Sequence, residues 1–111
     1  MIEIILKNWL SNETGVQTVL EIPTPLPEEF ISIEKTGGSF RDQLHTAIFA
    51  VQSWSSSMYS AASLNEVVQS ALITMGERCG DVYKVTVDGG YNFTDTATKR
   101  YRYQTVVEIK Y

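Results

Sequence analysis

Apolar residues recur with two different periods along this chain, and the switches between them mark out its elements. Ile2, Ile5, Leu6 and Trp9 fall at helical spacing around Glu3, Lys7 and Asn8, which predicts a short amphipathic first helix ending near Ser11-Asn12 and Gly15. Val16, Thr18, Leu20 and Ile22 then alternate with Gln17, Val19 and Glu21, the rhythm of a half-buried strand. Pro23, Pro25 and Pro27 stop that strand, because proline has no N–H for a sheet ladder. The Pro-rich stretch matches a PxxP partner ligand in composition, but its shortness favours a stiff connector.

Residues 30–35 predict a second strand, with Ile31 and Ile33 on one face and a Gly37-Gly38 hairpin turn after it. The third strand, Leu44 to Trp54, is apolar on both faces: Ala47, Phe49 and Val51 point one way, Leu44, Ile48, Ala50 and Trp54 the other. Such a strand is expected to be central and covered on both sides, by helices or by a partner subunit.

After Ser55-Ser56-Ser57 the spacing turns helical again. Ala61, Leu64, Val68, Ala71, Leu72 and Met75 form one stripe, closed by Gly76 and Gly80. Ser63 and Glu66 match a capping box, but the stripe begins earlier and sets the start near Met58. Tyr83, Val85 and Val87 predict a fourth strand ending at Asp88-Gly89-Gly90. Tyr101, Tyr103, Thr105, Val107, Ile109 and Tyr111 then alternate with Arg100, Arg102, Gln104, Val106, Glu108 and Lys110, which predicts the last strand. The order is helix-β-β-β-helix-β-β. It predicts a single α+β domain over residues 1–111, with a largely antiparallel sheet flanked by two helices. The second helix is also a possible crossover that places one parallel pair in the sheet.

Composition narrows the function classes. At 111 residues the chain suits one domain and is expected to bury roughly 65% of its unfolded surface, enough for a modest core. Net charge of −4 argues against a nucleic-acid binder held by phosphate contacts. The lone Cys79 cannot form an internal disulfide. Glu3 and Lys7 interrupt the apolar start, so no signal peptide is read there, and no apolar run approaches a membrane span of about 20 residues. The expectation is a soluble, cytosolic chain without membrane contact. The sequons at Asn12 and Asn92 then have no route to glycosylation.

Reactive chemistry is sparse. His45 is the only histidine and is expected at a packed or edge position of the third strand. Cys79, beside Arg78, reads as an ordinary surface or half-buried thiol. Asp81, Asp88 and Asp95 are spread over separate turns, unlike a calcium loop, and no glycine pair opens a phosphate-binding helix. No catalytic, cofactor or metal residue is therefore assigned. Lys99-Arg100-Tyr101-Arg102-Tyr103 interleaves cations with aromatics, as single-strand binders do. Strand alternation instead sends the tyrosines to one face to pack and the arginines to the other, solvated or paired with acid.

The order Pro27-x-x-Phe30-Ile31-x-Ile33, Gly37-Gly38, Asp42, Gln52-x-Trp54, Ala61-x-x-Leu64, Asn92-x-x-Asp95 and Arg100-Tyr101…Val106-x-x-Ile109 resembles the tail terminator, or tail completion, proteins of long-tailed bacteriophages and prophages. Two positions depart from that pattern: Ser55 stands where Ala is usual, and Thr94 where Pro is usual. The resemblance implies a non-enzymatic virion assembly protein without cofactors, found at the head–tail junction of the virion and in the host cytoplasm during assembly. It implies a homo-oligomeric ring, commonly a hexamer, that caps the tail tube protein, stops its polymerisation and joins the head-tail connector protein. DNA would pass through such a ring without sequence-specific binding, and an acidic lining would keep it from sticking. A strand apolar on both faces suits head-to-tail contacts between copies. Two loops are the expected contact sites, since loops carry binding more often than sheets do. The first holds Phe40, Arg41 and Asp42; the second holds Tyr91, Asn92, Phe93, Asp95 and Arg100. The alternatives are another phage head-to-tail connector or minor structural protein, and a small nucleic-acid-binding α+β domain using residues 99–103.

Overall fold

A computed structural model describes residues 1–41, 44–92 and 100–111. The elements are α1 Ile2–Thr14, β1 Thr18–Val19, β2 Phe30–Arg41, β3 Leu44–Ser55, α2 Met58–Arg78, β4 Lys84–Asn92 and β5 Tyr101–Lys110. This is the expected α+β order. The strands form one sheet in the order β1-β2-β3-β5-β4. Every pairing is antiparallel except β1 with β2. The parallel pair thus lies at the first margin and not across α2. β3 and β4 do run the same way, but β5 is inserted between them.

Both helices lie on the same face of the sheet. Ile2, Leu6 and Leu10 of α1 and Leu64, Val68, Leu72 and Met75 of α2 share one buried cluster with Ile31, Ile33, Ala47, Phe49, Val51, Val107 and Ile109 of the sheet. Each fully buried side chain of that size contributes about 1.5–3 kcal/mol. The Trp9 indole N–H donates to the Ala71 carbonyl at 2.7 Å and ties α1 to α2. Gly15, at φ 71°, ends α1 in the left-handed conformation that glycine adopts at no steric cost. At the start of α2 the Ser57 hydroxyl accepts the Ser60 N–H at 3.1 Å, so the helix begins at Met58, upstream of the Ser63–Glu66 box.

Within this chain the helices cover one face of β3. On the other face Ala50 and Trp54 are buried, Ile48 is half-buried and Leu44 is exposed. Four expectations, the place of Gly76 among them, need correcting. The strand expected over residues 16–22 shrinks to Thr18–Val19, which reaches only Ile31 and Ser32 before the prolines intervene; Leu20 and Ile22 are exposed. Gly37-Gly38 is not the hairpin turn. Both glycines lie within β2, opposite Ile48 and Ala47 just past a bulge at Lys35/Gly37, and the strands stay paired as far as Arg41 and Leu44. Gly89-Gly90 likewise does not end β4, which passes through a bulge there and continues to Asn92.

The glycines serve close approach instead. A Cβ on Gly38 would stand 2.7 Å from the Thr46 carbonyl oxygen, and one on Gly90 would stand 2.2 Å from Asn65 Nδ2. Gly76 sits inside α2, not at its end, and lets the helix press on Val85, whose Cβ would lie 3.2 Å from an added methyl.

Candidate interaction surfaces

The helix-free face of the sheet is organised by side chains that strand alternation brings into rows. At one end Phe30 of β2 stacks on Trp54 of β3, with ring centroids 5.3 Å apart and planes 8° apart. The Arg102 guanidinium of β5 lies 4.7 Å from the centre of the Trp54 ring. The next row is polar and crosses four strands. Trp54 Nε1 donates to Ser32 Oγ at 3.0 Å, and Ser32 Oγ to Gln52 Oε1 at 2.9 Å. Gln52 Nε2 then donates to Gln104 Oε1 at 3.1 Å, and Gln104 Nε2 to the Tyr91 hydroxyl at 2.7 Å. Each glutamine accepts from one neighbour and donates to the next, which fixes its rotamer.

Arg100 donates to the Pro27 carbonyl and so fastens the proline-rich segment to the start of β5. Arg100 is therefore engaged with a backbone carbonyl and Arg102 with an indole. Tyr101 and Tyr103 share the helix side with Val107 and Ile109 and are half-buried. Neither tyrosine is thus fully exposed for a base to stack on.

Of the expected contact residues, Phe40 and Arg41 are exposed at the far end of the β2–β3 hairpin. Tyr91, Asn92 and Arg100 lie at the opposite end of the sheet, where Tyr91 pairs with Gln104 and Asn92 with Tyr103. Asp42, Phe93 and Asp95 fall outside the described residues. From Gln104 to Tyr111 the separation along β5 is about 24 Å, so the two groups do not form one site. They mark two ends of an elongated body of 44 × 24 × 23 Å.

No protein-family model matches the chain, and no match was found among curated proteins. Among the described residues no three His, Cys, Asp or Glu side chains gather as a metal site requires. No helix among the described residues is long and apolar enough to cross a membrane. Cys79 is half-buried and packs against the core.

Two apolar features were not singled out in the sequence. The first is an aromatic row on the helix side at the hairpin end. His45 is exposed and stacks between Phe40, 4.5 Å away, and Tyr111, 5.2 Å away. Tyr83 takes the next register position beside Tyr111, its N–H donating to the Lys110 carbonyl at 2.7 Å. The second is a groove between α2 and β4, lined by Ile73, Gly76, Glu77, Tyr83, Val85 and Val87. Ile73 is 55% exposed and Tyr83 77%. The available signal was the off-stripe position of Ile73 on α2 and the place of Tyr83 just ahead of an edge strand.

Proposed function

We propose that the chain is a structural phage morphogenesis protein: a ring-forming tail terminator that caps the tail tube, stops its polymerisation and joins the head connector. The observation that carries this reading is the placement of exposed apolar surface on two unlike sides of one small domain. Phe40 and Leu44 project at the β2–β3 hairpin, whereas Ile73 and Tyr83 border the α2–β4 groove at the other margin of the sheet. A domain with two different adhesive sides associates head to tail, and head-to-tail contacts close into rings when the rotation per copy allows. The sequence pattern from Pro27 to Ile109 supports the same reading independently, as does the acidic total of −4, which suits a passage for DNA.

Light scattering on the purified chain, alone and with tail tube protein, tests the reading. A discrete multi-copy species, alone or on the tube end, is the expected result. A strict monomer under both conditions overturns it.

A further inference from the structure

The sheet has two open margins. β1 covers the outer edge of β2 only at Ile31 and Ser32. From Ile33 to Arg41 no described strand pairs that edge. At the opposite margin β4 pairs with β5 on one side, and among the described residues no strand pairs its other side. Open edges of this length are templates for another strand, and proteins that leave them unprotected commonly use them. β2 and β4 run in opposite directions, because three antiparallel pairings separate them. Setting the β2 edge of one copy beside the β4 edge of another therefore continues the sheet in the same antiparallel sense, with the helices of both copies on the same side.

We propose that copies of this chain join edge to edge, Glu34–Phe40 of β2 lying against the segment from Tyr83 to Asp88 of the next copy. The proposal rests on the ring reading above and names the contact that builds the ring. The aromatic row supplies the register. It runs Phe40, His45, Tyr111, Tyr83 across one copy, and both of its ends are open: Phe40 is 63% exposed at the first margin and Tyr83 77% at the second. Setting Phe40 beside the neighbour's Tyr83 makes the row continuous between copies. The same alignment puts Gly38 beside Val85 and, across the Lys35/Gly37 bulge, Lys35 beside Val87. Helix-side residues then meet helix-side residues throughout, and Lys35 reaches the groove that Glu77 lines. The glycine leaves room where Val85 already crowds against Gly76.

Cysteine cross-linking tests the contact. Phe40→Cys and Tyr83→Cys are made separately in a Cys79→Ser background; both altered aromatics are exposed, and circular dichroism checks that each variant folds. The variants are treated with a short bis-maleimide singly and as a mixture, alongside light scattering of the same samples. The expected result is a covalent two-chain product in the mixture and none from either variant alone. Cross-linking of a single variant with itself would mean a symmetric contact and overturn the proposal. Multi-copy particles without cross-linking in the mixture would also overturn it while leaving the ring reading intact. Monomers throughout, with or without tail tube protein, would overturn both.

Discussion

Asn65 of α2 accepts a hydrogen bond from the Thr105 hydroxyl of β5 at 2.7 Å, inside an otherwise apolar helix–sheet interface. Both residues are buried, and Gln69 Nε2 donates to the same threonine oxygen at 3.4 Å. The bulge at Gly90 gives Asn65 its space. Gly90→Ala drives a methyl into an amide that cannot move without breaking its bond to Thr105, and is expected to cost about 1–3 kcal/mol. Asn65→Ala leaves the Thr105 hydroxyl with a weakened set of partners, at about 1–3 kcal/mol. The double variant removes the tightest contact, at Asn65, and leaves one with Gln69 Nε2 at 2.8 Å, so urea unfolding is expected to show less destabilisation than the sum of the two single changes.

Neighbouring glycines of β2 should behave differently. A Cβ at Gly37 meets only the Ile48 side chain, at 3.6 Å, whereas one at Gly38 meets the Thr46 backbone carbonyl at 2.7 Å. Gly37→Ala is expected to be neutral or to stabilise by about 0.4–1 kcal/mol through the unfolded chain. Gly38→Ala should lower stability by about 1–3 kcal/mol, because a backbone carbonyl cannot swing aside as a side chain does. Thermal melts of the two variants, compared with the parent, check this ordering.

These glycines show where the sequence stopped short. Its hydrophobic periods located both helices and the long strands, since period 2 and period 3.6 are imposed by which face is buried. A glycine pair, however, signals equally a turn or a bulge packed under a neighbour, and only the partner strand decides. The pairing of β2 with β3 out to Arg41 and Leu44 lay in contacts between residues distant in sequence. The same holds for the surfaces. Phe40 stood out as an aromatic in an expected turn, but its continuity with His45, Tyr111 and Tyr83 depends on strand order β2-β3-β5-β4, which no local pattern encodes. Nothing in the local sequence links Gln52 to Gln104, and only their registry across β3 and β5 makes them a hydrogen-bonded row.

Arg102 above Trp54 gives a test of the nucleic-acid alternative. Arg102→Ala is expected to lower stability by about 0.5–1 kcal/mol through loss of the cation–π contact. Neither the parent chain nor Arg100→Ala/Arg102→Ala should retain single-stranded DNA in a filter-binding titration at low salt. Salt-dependent retention that the double variant loses would favour the alternative instead.

Edge pairing in the register set by Phe40 and Tyr83 places Glu34 of one copy beside Asp88 of the next, a like-charge pair on the helix-free face. Opposed like charges across strands destabilise, and reversing one converts the pair to an attraction of about 0.2–1 kcal/mol. Asp88→Lys is therefore expected to tighten self-association at low salt, with the gain fading as salt rises. Sedimentation velocity at several salt concentrations reads the shift. Weakened association in this variant would exclude that register.

The proposed role is tested most directly by electron microscopy of phage particles assembled without this protein. Tail tubes that run past their normal length and remain detached from heads are the expected result. Tubes of normal length would contradict it, and if they also stood unattached to heads, the connector reading would take its place.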